Sequence, residues 1–129
     1  MIRNILAATV AVAAALVFTG TAHADVTIGD PNVIAYELAG TPAANAYLLG
    51  VRTHISAFHA MADDHSTLTV GVTICQAFAR GVTVAQMASA GLQNGFTPFE
   101  TGVQMGGATA QLCPEYAPVM MAELTAASN

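Results

Sequence analysis

Apolar residues recur along most of this chain at intervals of three and four, the period of a helix with one face turned inward. After Thr41-Pro42, an N-cap followed by proline at the first helical position, Tyr47, Val51, Ile55, Phe58 and Ala62 keep that spacing and predict a helix running to about Ala62. Asp30-Pro31 uses the same device and predicts a short helix through Leu38, with Gly40 as its stop. Asp63-Asp64-His65-Ser66 is a polar break, and Ser66 or Thr67 is expected to cap the next element. Over Leu68–Arg80 two periods compete. Leu68, Val70, Val72 and Ile74 alternate with Thr69, Gly71 and Thr73 as in a strand, whereas Leu68, Gly71, Cys75 and Phe78 form a helical face. The length of the segment and Gly81 after it favour the helix.

Two capping boxes follow. Thr83 with Gln86 opens a helix that carries Val84, Met87, Ala88 and Gly91 inward and ends at Asn94-Gly95, with Val82 and Met87 as its hydrophobic staple. Thr97-Pro98 with Glu100 opens another, on which Phe99, Val103, Gly106, Ala110 and Cys113 are expected to share the buried face. Gly106-Gly107 inside that helix costs about 1 kcal/mol per glycine against alanine, which close approach of a neighbouring helix would explain. Pro114 ends the helix, and the tail from Pro118 is a short helix fraying near Ser128. Val119, Met120, Met121 and Leu124 make that tail apolar; it reads as a lid over the end of a small core rather than a binding surface. The pattern as a whole specifies an all-α fold, a small disulfide-stapled bundle of four to five helices, with residues 42–125 as the helical domain and 25–41 as a lead-in.

The front of the chain has another logic. Arg3, an apolar run from Ile5 to Phe18, and Ala22-His23-Ala24 have the layout of a secretory signal peptide over residues 1–24. The run falls short of the about 20 residues a membrane helix needs, and no cysteine follows Ala24 to take a lipid anchor. The mature chain is therefore expected to start near Asp25, with no membrane span, as a secreted protein of the cell envelope or the outside. In that oxidising setting the two cysteines, Cys75 and Cys113, read as one disulfide, the alternative being two reduced and buried thiols.

Charge narrows the function classes. Beyond the leader, Arg52 and Arg80 stand against eight carboxylates, a balance of −6, with no lysine anywhere. Nucleic acid and anionic lipid surfaces both demand clustered cations, so neither is an expected partner. Catalysis finds little to work with. No serine sits in a Gly-x-Ser-x-Gly elbow, Ser56, Ser66 and Ser89 have no base in evident reach, and Asp63-Asp64 is the one adjacent carboxylate pair. An enzyme is not expected.

His54, His59 and His65, with Asp63, are the residue types of a divalent-metal or haem site. His54 and His59, however, lie about 140° apart around a helix, where two ligands on one face want a spacing of three or four. Tyr47 and His54 share a face and can present a haem edge beside Phe58 and Met61. The preferred reading is a solvated helix end, with His59 pairing to Asp63 across one turn.

Gly71-Val72-Thr73-Ile74-Cys75, then Gly81-Val82-Thr83, and finally Cys113-Pro114 resemble domain of unknown function family 732, small secreted proteins found mainly in mycobacteria. The resemblance covers residues 43–117. It implies an all-helical fold, export and a Cys75–Cys113 bridge, and it carries no activity, cofactor or catalytic residue. The expected function is a binding or interaction module for an unidentified protein or small ligand, without a cofactor; the alternative is a haem or divalent-metal carrier using His54, His59, Asp63 and His65.

Overall fold

The computed structural model describes residues 25–55 and 63–128. The leader expected at 1–24, with its cleavage site, lies outside the described residues, as do Phe58, His59, Met61 and Ala62.

Six α-helices form among the described residues, counting the short one expected in the lead-in. They are α1 (Pro31–Leu38), α2 (Pro42–His54), α3 (Asp64–Ala79), α4 (Val84–Gln93), α5 (Pro98–Gly107) and α6 (Ala117–Ser128). A π-helical turn, Ala108–Leu112, extends α5, and a 3-10 turn, Pro114–Tyr116, leads into α6. No strand occurs among the described residues, and none of their helices is long and apolar enough to cross a membrane.

Local chemistry places most helix starts where the sequence put them. Asp30, Thr41, Thr83 and Thr97 are N-caps, and the last two complete both halves of their capping boxes. Gly40, Gly81 and Gly95 take φ between 85° and 90° just past the ends of α1, α3 and α4, a left-handed conformation that only glycine adopts at little cost.

Two boundaries differ from expectation. α2 stops at His54 rather than near Ala62, because Ile55 takes an extended conformation and turns its side chain into the core while its N–H still closes the last turn on Val51 O. α3 starts at Asp64, four residues before its first apolar position, and its cap is Asp63 rather than Ser66 or Thr67. Asp63 Oδ1 accepts from Ser66 N at 2.7 Å, a bond that holds its carboxyl below the ordinary carboxylate value. Within α3 the hydroxyls of Thr67, Thr69 and Thr73 donate to carbonyls four residues back, so the Thr/Val-rich run that imitates a strand satisfies its polar groups inside the helix.

α3 is the central rod. α1, α2, α5 and the π turn all pack on it, and α2 packs on α5 and the π turn as well. The main core gathers Ile34 and Leu38 of α1, Tyr47 and Val51 of α2, Leu68, Val72 and Cys75 of α3, and Leu112 and Cys113. Val26, ahead of α1, joins it, and Gln76 of α3 ties that lead-in down by donating to Val26 O and Gly29 O. Cys75 and Cys113 form the disulfide, with Cα atoms 5.9 Å apart and both residues fully buried.

The face of α5 is a correction. Phe99 is 63% exposed and Ala110 is exposed, whereas Glu100, Thr101, Gln104, Met105, Ala108 and Thr109 point inward. Except for Thr101, whose hydroxyl has no partner, these polar residues tolerate that position because their polar atoms find partners close by. Glu100 Oε1 accepts from Thr97 N, Gln104 Nε2 donates to Glu100 O, and Thr109 Oγ1 donates to Met105 O, which frees the apolar stems to pack. Cys113 still reaches the core because the π turn closes Cys113 N onto Ala108 O, five residues back, and so rotates the following residues relative to an α-helical register.

Tyr47 is the largest fully buried side chain among the described residues. Its ring lies between two glycines: a Cβ on Gly71 would come 2.7 Å from Tyr47 Cζ, and one on Gly107 3.2 Å from Cδ1. The expected close approach thus belongs to Gly107, while Gly106 has open space around it. The Tyr47 hydroxyl is buried without a hydrogen-bond partner, and burial pushes its pKa well above the ordinary phenol value. Removing that hydroxyl removes a desolvation penalty of about 1–3 kcal/mol, so Tyr47→Phe is expected to hold or raise stability by about 1 kcal/mol in urea unfolding. The unfolded phenol ionises near pH 10 while the folded one stays protonated. The wild type should therefore lose stability as pH rises beyond about 10, and Tyr47→Phe should lose less.

Candidate functional site

A second, smaller apolar cluster lies at the other end of α3. It consists of Ala77, Phe78, Met87 and Met105, with Ile74, Val82, Val84, Tyr116 and Met120 packed around it. Met120 folds in, and Thr109 Oγ1 lies 3.8 Å from its sulfur, whereas Met121 stays 55% exposed; the tail is part lid and part surface.

This cluster does not close. α4 is anchored at both ends and stands off in between. At its start, Val84 N donates to Glu123 Oε1 of α6 at 2.6 Å, a carboxylate at a helix N-terminus where the partial positive charge favours it. At its end, Phe96 N donates to Gly91 O, and Gly91 lies against Thr101 of α5 so closely that a Cβ there would collide with the threonine side chain. Between these anchors, only Met87 of α4 is fully buried.

The result is an open cleft of about 580 Å³ between α3, α4 and the start of α5. Val70, Ile74 and Ala77 form one wall, Met87, Ala90 and Gly91 the other, and Thr101, Gln104 and Met105 the floor, with Arg80 on the exposed rim. Its size falls within the about 300–1,000 Å³ of small-molecule sites. The lining contains no Asp, Glu, His or Cys, and Arg80 is its one charged side chain. Thr101 Oγ1 is buried there with no partner. Such a wall offers apolar contact and a few hydrogen bonds, and it presents no group of the kinds that take up or release a proton near neutral pH.

The histidines sit elsewhere. His54 is exposed at the end of α2, its Nδ1 3.0 Å from Gly50 O and its ring edge-on to Phe99, with centroids 6.5 Å apart. His65, near the start of α3, stacks on Tyr36 of α1 at 3.9 Å, and its Nε2 lies 2.9 Å from Asn32 Oδ1. Each thus has its own neighbours. Tyr47, expected to share a face with His54, is sealed in the main core. His59 lies outside the described residues, so its pairing with Asp63 does too. Among the described residues no three His, Cys, Asp or Glu side chains gather in a way that holds a metal ion. Asp64 pairs with Arg52, Oδ1 to Nη2 at 2.7 Å, an exposed bridge that contributes about 0–1 kcal/mol.

The cleft residues were not singled out from the sequence, although a signal was present. On α3, Val70, Ile74 and Ala77 lie beside the Leu68–Gly71–Cys75–Phe78 face, so the helix is apolar over more of its circumference than one core covers.

The fold and the cleft together define a class: a small all-helical domain, stapled by one disulfide, with an apolar cleft between three of its helices. The chain belongs to DUF732, a family of proteins of unknown function, which matches residues 43–115. That span holds both cysteines and every residue lining the cleft. No curated protein and no solved structure matches the chain.

Proposed function

We propose that this protein works after export as a binding module, and that the cleft between α3, α4 and α5 is where it binds. One observation carries the reading. Ala77, Met87 and Met105 are buried against one another, yet together with half-buried Ile74 and exposed Val70 they border about 580 Å³ of open space between α3, α4 and α5, which a closely packed small domain would have filled. Methionines bordering such a space adapt their shape to a guest. The leader-like first 24 residues and the disulfide support action in an oxidising compartment. A binding role also accords with a lining that lacks carboxylates, imidazoles and thiols.

The test uses a neutral, environment-sensitive dye, N-phenylnaphthylamine, with the oxidised protein. Dye emission should rise and saturate at one site per chain. Thr73→Trp and Ala90→Trp fill the opening from opposite walls, and both positions start exposed, so the core is left intact. Each should weaken dye binding at least tenfold while leaving the helical circular dichroism unchanged. Equal dye binding by the wild type and both variants would remove the cleft from consideration.

A further inference from the structure

We infer that the guest of this cleft is a single-chain amphiphile with an anionic head, such as a fatty carboxylate, its tail between α3 and α4 and its head on Arg80. The inference rests on the cleft being the binding site and adds the chemistry of its ligand.

Three observations lead to it. The first is the make-up of the lining: Val70, Ile74, Met87 and Met105 supply apolar surface, the threonines and amides interspersed with them are uncharged, and the one charge, Arg80, stands exposed at the rim. The second is the placement of scarce cations. Past the leader the chain has two arginines and no lysine. Arg52 is engaged with Asp64, while Arg80 has no ion pair among the described residues and no acidic side chain beside it on the cleft wall. An unpaired guanidinium at the mouth of an apolar channel matches a carboxylate, whose two oxygens its planar fork can take together. The third is size. At about 580 Å³ the cleft lies in the range of sites that take one small organic molecule, as a single-chain amphiphile is.

The overall negative charge does not defeat this. At physiological ionic strength charges farther than about 8 Å are largely screened, so the guanidinium in contact with the head outweighs carboxylates on distant faces. Arg80 also sits at the C-terminus of α3, where a cation offsets the partial negative charge of the helix end. That purely structural role predicts that replacing it lowers the melting temperature and leaves ligand preference untouched.

Displacement of bound N-phenylnaphthylamine by dodecanoate and by dodecanol separates the possibilities. Dodecanoate should bind the wild type at least tenfold more tightly than dodecanol does. Arg80→Gln should bring the two within a factor of about two by weakening dodecanoate alone, and Arg80→Lys should restore part of the difference. If dodecanol displaces the dye as well as dodecanoate does, or the preference survives in Arg80→Gln, the assignment of the head group is wrong and the cleft still binds. If neither displaces a dye that the tryptophan variants do weaken, the ligand assignment is wrong and the cleft still binds; if the dye itself ignores Thr73→Trp and Ala90→Trp, the binding site is wrong and the ligand assignment falls with it.

Discussion

Reducing the Cys75–Cys113 bridge is expected to destabilise the protein by about 4 kcal/mol, the chain-entropy value for a loop of 38 residues. Native domains of this size are stable by about 5–15 kcal/mol, so that is a large share. The melting temperature should fall by roughly 20 °C. Two physical effects act together. Without the link the unfolded chain gains conformations, and Cys113, which follows a π turn and precedes Pro114, loses the bond that joins it to the middle of α3. A Cys75→Ala/Cys113→Ala double variant should lose somewhat more than the reduced wild type, because both sulfurs are fully buried and their removal leaves a void. Thermal unfolding followed by circular dichroism, with and without dithiothreitol, measures the first effect. Equal melting temperatures would mean that the bridge contributes nothing. Mass spectrometry of the natural protein should find the two cysteines linked and the chain beginning near Asp25; two free thiols would contradict an exported, bridged form.

Gly71→Ala is expected to destabilise by about 2 kcal/mol, against the direction that helix propensity predicts. Alanine in place of glycine inside a helix gains about 1 kcal/mol where nothing interferes. At Gly71 the new methyl would lie 2.7 Å from Tyr47 Cζ and 2.8 Å from Leu112 Cδ1. Neither neighbour can give way: Tyr47 is backed by Gly107 on its other flank, and Leu112 is held in the turn that leads to the disulfide. Overpacking of that kind costs about 1–3 kcal/mol or more and outweighs the propensity gain. Gly102 of α5 is the matched control, being exposed with nothing within 4 Å of a new Cβ. Gly102→Ala should stabilise by about 1 kcal/mol. Urea unfolding of the two variants side by side should move the midpoints in opposite directions; a shift in the same direction would show that Tyr47 can yield.

Both predictions concern residues that the sequence marked for different reasons. Cys75 and Gly71 sit on the apolar stripe Leu68–Gly71–Cys75–Phe78, which was legible because a helical period survives inside a run that also alternates like a strand. Tyr47 was legible as a core residue of α2, but its contact with Gly71 and Gly107 was not, since the three lie on different helices far apart in the sequence. The cleft was less legible still. Met87 was visible as part of a hydrophobic staple and Arg80 as a rare cation, and nothing local connects the two. The histidines show the converse: a grouping that looks like ligands along the chain is divided, for His54 and His65, between two helices with separate partners.

Helix starts and stops followed from chemistry that acts over three or four residues. Thr41-Pro42, the Thr83 and Thr97 boxes, and glycines at 40, 81 and 95 each satisfy orphan backbone groups without help from distant parts of the chain, so reading the residues in order was enough to place them. Burial was another matter. Glu100 and Gln104 turn inward while Phe99 turns out, α2 breaks at Ile55, and α4 stands away from α3 to leave an apolar opening. Each of these depends on which distant surfaces fill the space beside a helix, and that competition for volume is settled when all six helices pack at once.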